Sequence, residues 1–224
     1  SAAQMCIRDR CSRKTVSVAV AQDAPILEAV KAAKEKGIAD AILVGDEAKI
    51  REVADQIGMD LTGYEIVNEP DDIEASLKAV KLVHDHKADM YMKGLLSTKD
   101  FLKSVLNKEV GLRNGKPLSH VCVFEIPGID RLLYLTDVAF MTYPSLEEKK
   151  SIIENSVEVA HACGIPCPKV APLAAVEVVN PKMPVTVEAA ELTKMNENGE
   201  ITGCIVDGPL SMDLAIEPEA AIHK

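Results

Sequence analysis

In the first half of the chain, short continuous runs of apolar residues alternate with segments in which apolar residues recur at helical spacing. Short apolar runs with the length of buried strands lie at residues 16–21, 41–44, 65–67 and 88–92. Between them, apolar residues recur at the spacing of one helical face over residues 26–37, 47–57 and 71–84. This alternation of continuously apolar strands with helices predicts an α/β fold whose parallel sheet is covered on both faces.

Polar residues and glycines follow these predicted strands directly. Asp23 comes after the first strand, Gly45-Asp46 after the second and Lys93-Gly94 after the fourth. Asp23 also occupies a predicted helix N-cap position, with Pro25 early in the helix that follows. Since ligands of parallel sheets bind beyond the carboxyl ends of the strands, these positions are candidate ligand contacts.

The segment from residue 93 to residue 120 reverses the sign of the local charge. The whole chain has a formal net charge of -10, yet this segment has only Asp100 and Glu109 against Lys93, Lys99, Lys103, Lys108, Arg113 and Lys116. Ser97-Thr98 with Asp100 predicts the start of a helix that continues to Leu106. A strand, a glycine turn, a helix N-terminus and several cations together predict an anion site, most simply for phosphate. The alternative is a solvated helix face with ordinary lysines.

The pattern changes after residue 117. Residues 121–126 and 131–135 predict two antiparallel strands joined by a turn, and Ser145 with Glu148 has capping-box spacing for a helix that reaches Cys163. The rest predicts a strand, a proline-interrupted loop, a helix and a strand, at residues 170–173, 181–185, 186–195 and 201–206. We therefore predict a disordered or foreign extension at 1–13, a first α/β domain at 14–117 and a second, incomplete one at 118–224.

Composition excludes several classes of function. Aromatic residues make up 3% of the 224 residues, tryptophan is absent and the sequence pI is about 5.0, which argues against nucleic-acid and anionic-membrane partners. No apolar run reaches the roughly 18 residues of a membrane span. The scattered cysteines are typical of thiols in a reducing cytoplasm, and no spacing of His, Cys, Asp or Glu predicts a metal site.

The ordered part of the sequence resembles the phosphate acetyl/butyryl transferase family, and within it the butyryl-specific members. The resemblance runs from Thr15 to Lys224 in consistent order. It is carried by Val16–Asp23, Ala41–Gly45, Met92-Lys93-Gly94, Ser97–Asp100, Leu118–Val121, Thr136-Asp137 and Asp207–Asp213.

This resemblance implies a two-domain, three-layer α/β/α fold related to isocitrate and isopropylmalate dehydrogenases, in a cytoplasmic homo-oligomer. The implied activity moves a short acyl group, here butyryl, between coenzyme A and inorganic phosphate through acyl phosphate, with coenzyme A as a substrate and no cofactor or metal. The candidate substrate-binding residues are Lys93, Gly94, Ser97, Thr98, Lys103, Arg113, Ser119, His120, Asp207 and Gly208. Lys103 stands where acetyl-specific relatives carry a phosphate-binding Arg, although lysine is a point charge and cannot bind bidentately.

Two features keep alternatives open. The family's Ser-Arg pair and nearby Asp match nothing before Lys224, so the catalytic residues are unknown. We expect that the natural chain continues beyond Lys224. We also expect that the fragment has impaired activity. Ser119-His120 either polarises the acyl carbonyl or holds phosphate, or is only a hydrogen-bonded strand entry. The competing functions are acetyl transfer, an oxidoreductase of the isopropylmalate-dehydrogenase type and a non-catalytic module that binds phosphate or coenzyme A.

Overall fold

The computed structural model describes residues 13–216. The predicted extension therefore lies outside the described residues except for Arg13, which donates to the carbonyl of Lys34 at 2.8 Å and forms an ion pair with Asp40. Within the described part, the residues up to Asn114 form one compact unit and those from Gly115 onward form a second. The domain boundary predicted between residues 117 and 118 stays a prediction.

A four-stranded parallel sheet forms the centre of the first unit, as the apolar runs predicted. Its strands are β1 (Lys14–Ala19), β2 (Ala39–Gly45), β3 (Glu65–Asn68) and β4 (Met90–Lys93), in the spatial order β3-β2-β1-β4. Val18 of β1 lies in register with Leu43 of β2 on one side and with Met92 of β4 on the other. The chain moves outward from β1 to β3 and then returns to the opposite side of β1. The point where strand order reverses therefore lies between β1 and β4.

Four helices connect and follow these strands: α1 (Ala24–Glu35), α2 (Glu47–Gln56), α3 (Asp72–His84) and α4 (Thr98–Val105). Asp46 and Asp71 cap α2 and α3, since each carboxylate accepts two backbone N–H bonds of the first helical turn. Asp23 occupies the N-cap position of α1 as predicted, but its side chain makes no capping bond. Proline in the first turn of α1 removes an N–H that would otherwise need a partner.

Alternate residues of the strands point to two separate cores. Val18 and Leu43 pack with Leu27 of α1 and Ile50 of α2 on one face. On the other face, Ala19, Ile42 and Val44 pack with Ala75 and Ala79 of α3. The period of two along the strands thus produces a layer of helix on each side of the sheet.

The second unit contains smaller sheets. Strands β5 (Val121–Glu125) and β6 (Leu132–Thr136) form the predicted antiparallel pair, with Val123 opposite Tyr134. Helix α5 (Leu146–Ala162) begins with the predicted capping box between Ser145 and Glu148. Strands β7 (Lys169–Val170) and β8 (Ile205–Val206) pair in parallel, and helices α6 (Pro184–Glu197) and α7 (Met212–Ile216) complete the unit. Its core joins Ile153 and Val157 of α5 to Leu192 of α6, Ile201 and Val206.

Three predicted boundaries in this unit are wrong. Strand β7 ends at Val170, and Pro172, which has no N–H, is followed by only an isolated bridge between Leu173 and Leu210. Residues 201–204 form a loop before β8, because Asn196 donates to the carbonyls of Ile201 and Cys204. Helix α6 begins at Pro184, inside the predicted loop, since proline suits the first turn of a helix.

None of the helices in the described residues has the length and apolar character needed to cross a membrane.

Candidate functional site

The first unit builds its candidate site where strand order reverses, at the carboxyl ends of β1 and β4. Val20 follows β1 with φ of 58°, a left-handed conformation that costs a β-branched residue on the order of 1–3 kcal/mol. Two hydrogen bonds of 2.8 Å fix this segment, from the N–H of Gly94 to the carbonyl of Ala19 and from the N–H of Leu95 to the carbonyl of Val20. The turn after β4 is therefore held against strained backbone at the end of β1.

Lys93 is the last residue of β4 and Gly94 begins this turn, whereas the sequence predicted a turn at both residues. A Cβ on Gly94 would lie 2.2 Å from the carbonyl oxygen of Val20, so only glycine allows the two backbones to approach this closely. Lys93 is exposed, and no residue in the described part of the chain pairs with its ammonium group. A cation without a partner therefore stands at the position where parallel sheets bind their ligands.

Helix α4 carries its own anion at its N-terminus. The Ser97 hydroxyl accepts from the Asp100 N–H at 3.1 Å and donates to the Asp100 carboxylate at 2.7 Å. The hydrogen bond from Ser97 holds the pKa of Asp100 below its ordinary value, and Lys103 lies 3.4 Å from the same carboxylate. Ser97 thus serves as N-cap, Thr98 is the first helical residue, and Lys103 is engaged within the helix. Their contact with substrate stays a prediction.

Arg113 lies away from Lys93. It lines an open depression of about 450 Å³ together with Val83, His84, His86, Ala88, Asp89, Gly111 and Leu112. Ala88 and Asp89 precede the first residue of β4, whereas Lys93 is its last. The two cations therefore stand near opposite ends of this strand and do not form one cluster.

In the second unit, Ser119 and His120 are held from two directions. Asn155 of α5 donates through Nδ2 to the Ser119 hydroxyl at 2.8 Å and to the Pro117 carbonyl at 3.2 Å. Asp137 accepts the backbone N–H of His120 at 3.0 Å. The His120 ring packs edge-on against Phe140, and its Nδ1 lies 3.5 Å from the Cys122 sulfur. Ser119-His120 is thus a fixed strand entry that presents an imidazole.

Asp137 organises the loop after β6. Its carboxylate accepts the N–H groups of Ala139 at 2.8 Å and Phe140 at 2.9 Å in addition to that of His120. Burial raises the pKa of Asp137, but the backbone donors, which also include Met141, outweigh burial and hold the pKa below its ordinary value. The ionised carboxylate therefore joins the loop at 139–141 to the entry of β5.

Asp207 and Gly208 follow β8, at the carboxyl end of the small parallel sheet. Asp207 is exposed, and its N–H donates to the Val170 carbonyl at 3.0 Å. A Cβ on Gly208 would lie 2.9 Å from Pro172 Cδ, so glycine permits the close approach of these two segments. The Asp207 carboxylate bonds no residue in the described part of the chain, and its role in binding stays a prediction.

Sequence reasoning missed Asn155 and Val20. Asn155 lies 36 positions from Ser119, and an asparagine within a helix gives no signal of so distant a partner. Val20 reads as the continuation of an apolar strand, and nothing in its side chain predicts a left-handed backbone. Among residues 13–216, no three His, Cys, Asp or Glu side chains come together in a group suited to a metal ion.

A model of the family described as phosphate acetyl/butaryl transferase matches residues 3–75 and 71–224 of the chain. The chain belongs to this family. The phosphate butyryltransferase of Clostridium acetobutylicum is 64% identical over 211 residues, which are 94% of this chain and 70% of the relative. That of Clostridium beijerinckii is 58% identical with the same coverage.

A solved structure has the same fold. It is the crystal structure of a branched-chain phosphotransacylase from Enterococcus faecalis, which matches with a TM-score of 0.79 and 34% identity. The match covers 94% of this chain and 73% of that protein. The parallel sheet and its site edge therefore belong to an architecture found in phosphotransacylases.

Proposed function

We propose that this chain transfers a butyryl group between coenzyme A and inorganic phosphate. The observation that carries the proposal is the identity of 64% and 58% to two phosphate butyryltransferases over 94% of the chain. The ammonium of Lys93, which no residue from 13 to 216 pairs, lies at the point where strand order reverses and supports a phosphate subsite. No comparable observation favours a dehydrogenase or a module that only binds.

The reaction needs stabilisation of negative charge. An oxygen of hydrogen phosphate attacks the thioester carbonyl, forming a C–O bond and a tetrahedral oxyanion. The C–S bond then breaks, and the proton of the phosphate ends on the released thiolate. Cationic and N–H donors lower the barrier when they face the oxyanion and the phosphate oxygens.

We assign the phosphate-facing cation to Lys93, next to the Gly94 turn of the first unit. In the second unit, His120 has the chemistry to donate to an acyl oxygen or to carry the proton of the thiol. Its backbone is held by Asp137, and its ring packs against Phe140 and lies 3.5 Å from the Cys122 sulfur, so the imidazole is already ordered before substrate binds.

Four further properties belong to the same proposal. They are a homo-oligomer, a cytoplasmic location, catalysis without a cofactor or metal, and a relation to the isocitrate dehydrogenase fold. Exposed apolar side chains on β5 and β6, with Val123 at 42%, Phe124 at 43% and Leu132 at 38%, support contact with a second copy. Sedimentation of the chain at several concentrations tests the oligomer, and a monomer at all of them would contradict it.

Free thiols at Cys122, Cys163, Cys167 and Cys204 support a reducing compartment.

The experiment is thiol release from acetyl-, butyryl- and hexanoyl-coenzyme A, with and without phosphate. We expect release that requires phosphate and is fastest with the butyryl substrate. A preference for acetyl groups would move the assignment to acetyl transfer. Release that is independent of phosphate would contradict phosphate as the acyl acceptor.

A further inference from the structure

Gln22 has an unusual environment at the end of β1. Its Oε1 atom is buried and has no hydrogen-bond partner in the described part of the chain. The atom packs against Gly45, since a Cβ on that glycine would lie 2.2 Å from Oε1. Leaving a buried amide oxygen without a donor is costly, so this arrangement needs a compensating interaction elsewhere on the side chain.

The contact with Gly45 fixes which end of the amide faces outward. A carbonyl oxygen against a Cα–H group makes a weak favourable contact, whereas an NH₂ group there would bring hydrogens together. Nε2 is therefore directed away from Gly45, and no residue from 13 to 216 accepts a hydrogen bond from it. Gln22 thus presents a donor-only surface.

The surrounding backbone places this donor at the sheet edge that binds ligands. The Ala21 N–H donates to the Val44 carbonyl at 3.1 Å, which holds the residue before Gln22 against the end of β2. Two positions before Gln22, the left-handed Val20 is bonded to the turn that follows Lys93. Gln22 and Lys93 therefore follow neighbouring strands at the same edge, with Ala19 in register with Lys93.

We propose that Gln22 donates through Nε2 to an oxygen of the substrate phosphate. The inference rests on the proposed function, because it deepens the phosphate subsite assigned to Lys93. An amide donor complements a cation there, since it adds direction to the point charge of a lysine. Gly45 acts as a positioning residue, because it leaves the space in which the amide oxygen packs.

The first test replaces Gln22 by methionine, which keeps the length of the side chain and removes both donors. We expect Gln22→Met to raise the KM for phosphate roughly tenfold, the effect of one hydrogen bond to a charged group. The KM for butyryl-coenzyme A should change less than about twofold, because the lost bond is made only to phosphate. Gln56→Met is the matched control, since Gln56 is exposed at the end of α2.

The second test displaces the amide without removing it. In Gly45→Ala the new methyl group meets Oε1, the far end of a flexible side chain, and lies 3.2 Å from the Ala21 nitrogen. The φ of 157° at Gly45 adds backbone strain, which urea unfolding of the variant measures separately from the KM. We expect the same selective rise in the KM for phosphate. The double variant Gln22→Met with Gly45→Ala should be no worse than either single one, because both remove the same bond. Additive effects would contradict the positioning role of Gly45.

A binding measurement separates this inference from the proposed function. Phosphate that binds the folded chain raises its unfolding temperature, and chloride at equal ionic strength controls for screening. One outcome is that the unaltered chain releases no thiol and is still stabilised by phosphate. If Gln22→Met then lacks that stabilisation, the subsite stands and the transferase assignment fails. If turnover is present and Gln22→Met behaves like Gln56→Met, the inference is overturned and the transferase assignment stands. Absence of both turnover and phosphate stabilisation would overturn both.

Discussion

The candidate site of the first unit is held together by backbone contacts, whereas that of the second unit is held together by side-chain hydrogen bonds. In the first unit, backbone meets backbone: Gly94 lies against the carbonyl of Val20, and two N–H bonds join the ends of β4 and β1. In the second unit, side chains bridge distant backbone: Asp137 holds the N–H of His120, and Asn155 holds the hydroxyl of Ser119. The first arrangement fails when volume is added, whereas the second fails when a hydrogen-bonding atom is removed.

Adding a methyl group at the site of the first unit should lower the free energy of unfolding more than any other change considered. Gly94→Ala places a Cβ 2.2 Å from the Val20 oxygen and 2.4 Å from the Ala19 oxygen, both of them backbone atoms that cannot rotate away. We expect the free energy of unfolding to fall by about 3 kcal/mol or more, as overpacking and loss of the two N–H bonds combine. Urea unfolding measures it.

Gly115→Ala is the control for Gly94→Ala. Gly115 has φ of 84° and no atom within 4 Å of an added Cβ, so it pays only the cost of the backbone conformation. We expect a loss of about 1 kcal/mol there. An equal loss in the free energy of unfolding in the two variants would show that the close approach at the end of β1 does not require glycine at position 94.

Removing an acceptor in the second unit should have the next largest effect. Asp137→Ala leaves the N–H groups of His120, Ala139 and Phe140 without their carboxylate. We expect a loss of about 2 kcal/mol in the free energy of unfolding, with a smaller loss in Asp137→Asn, which retains one oxygen acceptor. Asp207→Ala serves as the control, because that carboxylate is exposed and bonds no loop. An equal loss in both alanine variants would contradict the organising role of Asp137.

The same carboxylate predicts a pH dependence. Its folded pKa is below the ordinary value of about 3.9, so the unfolded chain binds the proton more readily than the folded one. The stabilisation by Asp137 is therefore fully present above about pH 4 and is lost as the pH falls through the lower, folded value. The difference in stability between the unaltered chain and Asp137→Asn should shrink below pH 4. A constant difference between pH 3 and pH 6 would contradict the pKa shift.

The contrast between the units also explains how far the sequence could be interpreted. Continuous apolar runs such as 41–44 predicted the parallel strands, because both faces of this sheet are buried by local strand–helix units. Glycines marked the site edge, since Gly94 follows β4 directly. The capping box of Ser145 and Glu148 was equally local, and it was confirmed.

Local sequence patterns could not predict the hydrogen bonds between residues that are far apart in the chain. The loop over residues 201–204 was predicted as strand because Ile201 and Cys204 are apolar, but Asn196 satisfies their carbonyls. The cations from Lys93 to Arg113 were predicted as one cluster from their spacing along the chain. The fold places Arg113 with His84 and His86 near the start of β4, because the segment after α4 runs back along the unit.

Separating these two cations gives a kinetic prediction. Lys93→Ala should raise the KM for phosphate roughly tenfold, whereas Arg113→Ala should change it less than about twofold, because only Lys93 stands at the carboxyl edge. The KM for butyryl-coenzyme A should stay within about twofold in Lys93→Ala. Initial rates of thiol release at varied phosphate measure both variants. Equal effects would contradict the placement of the anion site at the end of β4.

The smallest expected effect comes from Asn155, whose amide joins α5 to the entry of β5. Asn155→Ala removes the bonds to the Ser119 hydroxyl and the Pro117 carbonyl, both of which are only part-buried. We therefore expect a loss of only about 1 kcal/mol in the free energy of unfolding. Asn198→Ala, at an exposed position after α6, controls for the substitution itself.

Catalysis should respond to Asn155→Ala differently from stability. If the amide positions Ser119-His120 for the reaction, kcat should fall about fivefold while the KM for phosphate stays constant, since we assign phosphate binding to Lys93 and Gln22. Asn155→Asp replaces the Nδ2 donor by a second oxygen acceptor, so it cannot donate to the Pro117 carbonyl and should resemble the alanine variant in kcat. An unchanged kcat in both variants would reduce Asn155 to a structural link.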